Sequence, residues 1–174
     1  MNTQRLIYVY EGWEGYNRSL VSAVAPLTEE QLAFRAHPEM PSAGEVAWHI
    51  ADGRVDWFKR IDPRFSPLEK EVEARNGKPN DAEAICRWLN RTWEVSAAML
   101  EQWTVEDLPS TYRQPYQGKV YAVSRQWVIW RIMCHDIHHG GQLSELLAMQ
   151  SVFPLELTLL GGHLTDPPEA PLDH

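Results

Sequence analysis

The chain has 174 residues, 44% of them hydrophobic, with a formal net charge of −8. That length gives one domain with a real core, and the acidic balance excludes the basic stripe a phosphate backbone demands, so nucleic acid is not an expected partner. No apolar run approaches the roughly 18 residues of a membrane span, and MNTQRLIYVYEGWEG lacks the parts of a signal peptide, which predicts a cytoplasmic protein with no membrane partner.

Residues 3–25 read as a first helix, with Leu6, Tyr10, Trp13, Asn17, Leu20 and Val24 at three- and four-residue steps, weakened by Gly12 and Gly15 and ended by Pro26. Thr28 with Gln31 is a capping box that starts a short helical turn, broken by His37-Pro38 and Pro41. Ser42 with Glu45 is a second capping box and opens a helix to about Ile61, where Asp62-Pro63 stops it. Val46, Ile50, Trp57 and Ile61 form its apolar stripe, with His49 on the shoulder beside Glu45, Asp52 and Asp56.

Residues 62–79 form a long connection, with a helical turn at Pro67–Ala74 capped by Ser66 and a loop at Asn76–Pro79. Asn80 with Glu83 then caps a helix to about Trp103, buried through Ile85, Trp88, Leu89, Trp93, Ala97 and Leu100. Extended stretches at Ser110–Gln114 and Lys119–Val123 around Pro115-Tyr-Gln-Gly118 predict a small hairpin. Beyond Gln150, LELTLLGGHLT suits a short helix or packed strand, and 166–174 a flexible proline-rich tail after a domain spanning 1–165. The expected fold is all-α: a four-helix bundle with long connections between its second and third and its third and fourth helices.

Ser124 to Gln150 is the fourth and longest helix, opened by a capping serine and free of proline. At 100° per residue His135, His139 and Gln142 fall within about 60° of one another, on the stripe of Val128, Ile132, Leu143 and Leu146. The histidines therefore point toward the expected core, and His138 lies off the stripe. Imidazoles at i and i+4 are spaced to close on one metal ion; the bland alternative is a pair hydrogen-bonded to core carbonyls or water. Gly140 and Gly141 in a helix interior imply close approach of a ligand or a neighbouring helix.

His49 would be the third ligand, with Asp52 or Asp56 orienting it or accepting a proton and Gln142 sharing the histidine face; the alternative for these carboxylates is a solvated acidic surface. Cys86 and Cys134 read as unpaired, buried small hydrophobes. Trp127, Trp130, Cys134 and Ile137 make a second apolar stripe on the last helix, to be covered by the hairpin, the C-terminal segment or, the preferred reading, a second copy in a homodimer.

SAGEVAWHIADGRVDWF, the LTEEQL before it and HDIHHGGQL resemble the DinB/YfiT-like family of metalloenzymes, and with the helix order the likeness spans most of residues 3–150. The resemblance implies a four-helix bundle whose metal ligands are His49, His135 and His139. It departs at Gly140, where relatives often have arginine in H-H-R-G-Q, which removes any anion contact that arginine makes. Some relatives are thiol-dependent S-transferases or isomerases, which implies a divalent ion, zinc or nickel, a low-molecular-weight thiol and a small apolar electrophile as substrate. A hydrolase using water at the same ion, and a non-catalytic bundle binding a metal or a small ligand, are the competing readings.

Overall fold

The computed structural model describes residues 4–74 and 80–154. The described chain is mostly helical with one small antiparallel sheet: α1 (Leu6–Val9), α2 (Gly12–Val24), α3 (Glu29–Ala33), α4 (Ala43–Phe58), α5 (Ser66–Ala74), α6 (Ala82–Gln102), β1 (Thr111–Tyr116), β2 (Lys119–Ser124) and α7 (Arg125–Ala148). The expected loop at Asn76–Pro79, the LELTLLGGHLT segment and the 166–174 tail lie outside the described residues.

Helix starts follow the capping chemistry. The Thr28 and Ser42 side chains accept from the Gln31 and Glu45 amides, and the Gln31 and Glu45 side chains accept in return from the Thr28 and Ser42 amides, so both capping boxes are complete. Ser124 accepts from the Trp127 amide at 3.1 Å and caps α7. Two starts differ from the sequence reading. Asp81, not Asn80, caps α6, accepting from the Ala84 amide at 3.0 Å. The 3–25 helix is broken at Tyr10, which leaves helical geometry (φ −117°, ψ 32°), because the short α1 is tied to the segment after α6: the Leu6 amide donates to the Trp103 carbonyl at 2.9 Å.

α4 packs against both α6 and α7, and α2 packs on α6. The core at this junction is aromatic: Trp13 meets Phe58 and Trp93 with ring centres 6.0 and 5.7 Å apart. Trp13, Trp48, Trp88, Trp93 and Trp103 are buried, whereas Trp127 and Trp130 are exposed. Cys86 is half-buried and Cys134 exposed, which corrects the expectation that both are buried; Cys134 sits on α7 with exposed Trp130 and Ile137, so that stripe faces outward among the described residues.

The hairpin runs from the Thr111–Ser124 pair to Tyr116–Lys119 and turns through Gln117 and Gly118, both at positive φ (47° and 75°). That is the two-residue turn whose twist suits antiparallel strands, and glycine accepts its second position without strain. Ser124 ends β2 and caps α7, so the sheet is joined to the histidine helix without a linker.

Candidate metal centre

α4 and α7 lie side by side, and their contact brings His49 together with His135 and His139. The metal-binding atoms of the three imidazoles all lie within 4.8 Å of one another. His49 Nε2 and His135 Nε2 are 3.1 Å apart, and the ring centres are 4.4 to 4.8 Å apart. Two nitrogens about 2.0–2.1 Å from one tetrahedral ion would stand roughly 3.3 Å apart, so His49 and His135 are already near that spacing and His139 closes on them by side-chain rotation. The residues present fit a divalent ion with borderline-soft nitrogen ligands.

His49 is exposed and the other two are partly buried, so the centre sits at the rim of the core rather than inside it. The reason lies in Asp136 and Gly140, both buried, which occupy the middle of the inward stripe of α7 and leave the histidines on its shoulder. A position at the rim leaves a route for solvent or a ligand.

Burial and neighbouring charge favour, for His49 and His139, the neutral form that metal binding requires. Burial, then the neighbouring His135, hold His49 below the usual imidazole value, against an upward pull from Asp52. For His139 burial is again the largest cause, opposed by the Gln142 hydrogen bond and reinforced by the neighbouring imidazoles; it is pushed down from 6.5 to about 4. Gln142 Oε1 lies 2.7 Å from His139 Nδ1. The amide oxygen accepts, so Nδ1 carries the hydrogen and Nε2 keeps its lone pair, as a metal-ligating histidine does when an outer group fixes its tautomer.

The other sequence-predicted residues divide. His138 is exposed, stacks edge-on against His139 with ring centres 4.9 Å apart, and is outside the converging set. Asp52 Oδ1 accepts from Trp88 Nε1 at 2.8 Å, which turns this carboxylate toward α6 while its charge still reaches His49. Asp56 is paired with Lys59 and Arg60, each at 3.2 Å, an exposed cluster rather than a partner of the imidazoles.

Three residues that support the centre were not singled out from the sequence. Gly53 of α4 lies under His135: a Cβ there would meet the ring's Cε1 at 2.3 Å. Arg54 and Asp136, both fully buried, form an ion pair in which Arg54 Nε and Nη2 each lie 2.9 Å from Asp136 Oδ2. Trp13 Nε1 donates to the same oxygen at 2.9 Å, and Arg54 Nη1 donates to Asn17 Oδ1 at 2.8 Å and to the Leu89 carbonyl at 3.2 Å. One buried guanidinium thus links α2, α4, α6 and α7 directly behind the metal centre. Among the described residues Asp136 Oδ1 has no hydrogen-bond partner, and it stands 3.8 Å from His135 Nδ1, close enough for a small ring movement to join them. The available signal was two charges among apolar i±3 and i±4 neighbours: Arg54 beside Ile50, Ala51 and Phe58, and Asp136 beside Ile132 and Gly140.

Gly140 answers the question its position raised. Its missing Cβ would lie 1.8 Å from the Tyr16 hydroxyl oxygen, and that hydroxyl donates to the Asp136 carbonyl at 3.2 Å. Helix packing, not a ligand, occupies the space. A Cβ on Gly141 would meet nothing within 4 Å among the described residues.

A helical scaffold presenting three convergent imidazoles from two adjacent helices defines a class of protein with a possible metal centre at a helix–helix groove. The family model of the DinB superfamily matches residues 14–143, a span that includes all three histidines, and the chain belongs to that superfamily. Among solved structures, a DinB-like protein from Bacillus cereus is 19% identical with a TM-score of 0.61, the alignment covering 87% of this chain and 97% of that one. A DinB-like protein from Bacillus subtilis is 18% identical with a TM-score of 0.61, covering 83% and 92%. Both likenesses concern the fold. Among curated proteins no relative matches.

Proposed function

We propose that this chain is a cytoplasmic metal-dependent enzyme, built as a four-helix bundle from α2, α4, α6 and α7, that transfers a low-molecular-weight thiol to a small electrophile or uses it in an isomerisation. The observation that carries this reading is the convergence of the His49, His135 and His139 ligand atoms within 4.8 Å. Zinc or nickel suits three imidazoles, and such an ion held by His49, His135 and His139 would supply the acidity that favours the thiolate form of a thiol at neutral pH.

The chain's own residues supply the rest. Gln142 holds the His139 tautomer, and Gly53 admits the His135 ring against α4. Asp52, whose charge reaches His49, is better placed than Asp56 to take the proton released by the thiol. In the transfer, the sulfur lone pair forms a bond to an electrophilic carbon and the leaving group departs with its electron pair; in an isomerisation, the thiol adds and is later expelled unchanged.

The test is elemental analysis of protein purified without an affinity tag, followed by assay of free-thiol loss with a panel of small thiols and electrophiles. Bound zinc or nickel with metal-dependent thiol consumption or thiol-dependent isomerisation is expected. Metal-dependent ester or amide hydrolysis without thiol would replace this reading with a hydrolase, and protein that neither carries nor takes up metal would leave a non-catalytic bundle.

A further inference from the structure

α4 and α7 stay in contact beyond the histidines, where the Trp57 and Trp127 ring centres stand 5.5 Å apart. Arg131 precedes His135 by one turn, about 6 Å along α7, on the same side of the helix as His135 and His139. Beyond it opens a cavity of about 810 Å³ walled by Trp57 of α4 and Arg60 just after that helix, Trp127 and Arg131 of α7, and Tyr116 and Tyr121 of the hairpin. This volume suits a small organic molecule.

Its charge runs against that of the whole chain. The protein carries −8 overall, yet among the described residues two arginines and no carboxylate line this cavity. Their guanidinium carbons stand 4.4 Å (Arg60) and 4.8 Å (Arg131) from the centre of the one Trp57 ring, so they are at most 9.2 Å apart. Arg60 is held in place by Gln114 Oε1 at 3.1 Å and shares Asp56 with Lys59. Arg131 has no carboxylate partner among the described residues and rests only on the faces of Trp57 and Trp127, at 4.8 and 5.6 Å. An arginine stacked on aromatic rings keeps its planar donor edge free for a carboxylate, the geometry in which arginine exceeds lysine.

We propose that this cavity is a binding site for a small organic anion, a planar or unsaturated body lying among the aromatic rings with its carboxylate on Arg131 and Arg60. Its role as the substrate pocket of the enzyme rests on the function proposed above; the preference for an anion does not. As a substrate pocket it would select acidic electrophiles over neutral ones.

Calorimetric titration with cinnamate and with cinnamamide, which has the same shape without the charge, tests this directly. Wild-type protein is expected to bind cinnamate about tenfold tighter or more, the value of a charge-assisted hydrogen bond. Arg131→Gln should reduce the ratio to within about twofold while leaving cinnamamide binding intact, and Arg131→Lys should restore part of it. Equal affinity for the two probes in wild type, or a ratio that survives in an Arg131→Gln/Arg60→Gln double variant, would overturn the proposal. So would competition by equimolar inorganic phosphate, which would mark a site for anionic charge alone. Repeating the titration after chelation separates the two readings. A ratio that persists without metal assigns the anion to the arginines whatever the fate of the metal reading, and a ratio that vanishes places it on the ion and refutes the pocket.

Discussion

Replacing Gly53 by alanine should damage the metal centre without unfolding the protein. The new methyl carbon would sit 2.3 Å from His135 Cε1 and 2.8 Å from each ring nitrogen. Non-bonded carbons settle near 3.5 Å, so the ring must retreat by about 1.2 Å, away from α4 and hence from His49. Metal–ligand distances tolerate about 0.2 Å, so the shift removes one ligand or forces a strained one. Metal affinity should fall by at least 10–100-fold, the loss seen when a support of a ligand is removed. Stability should fall by no more than about 2 kcal/mol, because overpacking of about 1–3 kcal/mol is offset in part by the roughly 1 kcal/mol that alanine gains over glycine in a helix. The control is Gly141→Ala on α7, where a Cβ would meet nothing within 4 Å among the described residues: affinity should be unchanged and stability should rise by about 0.5–1 kcal/mol. A chelator-competition titration measures affinity, and circular dichroism with thermal melting measures the fold. Unchanged affinity in folded Gly53→Ala would refute the argument that this glycine seats His135.

Arg54→Met should destabilise the protein by about 3–5 kcal/mol in urea unfolding, because it strands the Asp136 carboxylate in the core; a loss under about 1 kcal/mol would mean the pair is dispensable. In metal-free protein, stability should fall as pH drops from about 6.5 to about 4, because His139 takes a proton when unfolded before it does so when folded, and His49 adds the same sign. A melting temperature that is flat across this window, or a slope no shallower in His139→Gln, would contradict the shift. The exposed Trp130, Cys134 and Ile137 of α7 lead us to propose a homodimer, so light scattering at micromolar concentration should give about twice 20.1 kDa; a constant mass near 20.1 kDa would refute it.

Much of this molecule is legible in its sequence because its signals are local. Ser42 with Glu45, Thr28 with Gln31 and Ser124 place helix starts through bonds made within three residues, and helical phase separates His135 and His139 from His138. The hairpin follows from Gln117-Gly118, where the backbone needs positive φ at both positions. What was not legible depends on contacts between distant segments. The place of Asp136 at the centre of the inward stripe of α7 was not legible, since it depends on Arg54, 82 positions earlier. Gly53 carries no turn or cap signal, and its role exists only where His135 crosses α4. The break at Tyr10 likewise reflects the hold of the Trp103 carbonyl on Leu6. Asp56 shared the shoulder of His49 by sequence phase but is drawn away by Lys59 and Arg60.

The central claim is that His49, His135 and His139 act together on one ion and His138 does not. Zinc titration of tag-free protein against a chromophoric chelator, in wild type and in the four single alanine variants, tests it most directly. About one equivalent per chain is predicted for wild type, with affinity lowered at least tenfold by each of His49→Ala, His135→Ala and His139→Ala, and within about twofold of wild type for His138→Ala. An equal loss in His138→Ala, or wild-type affinity in His49→Ala, would contradict the three-histidine centre.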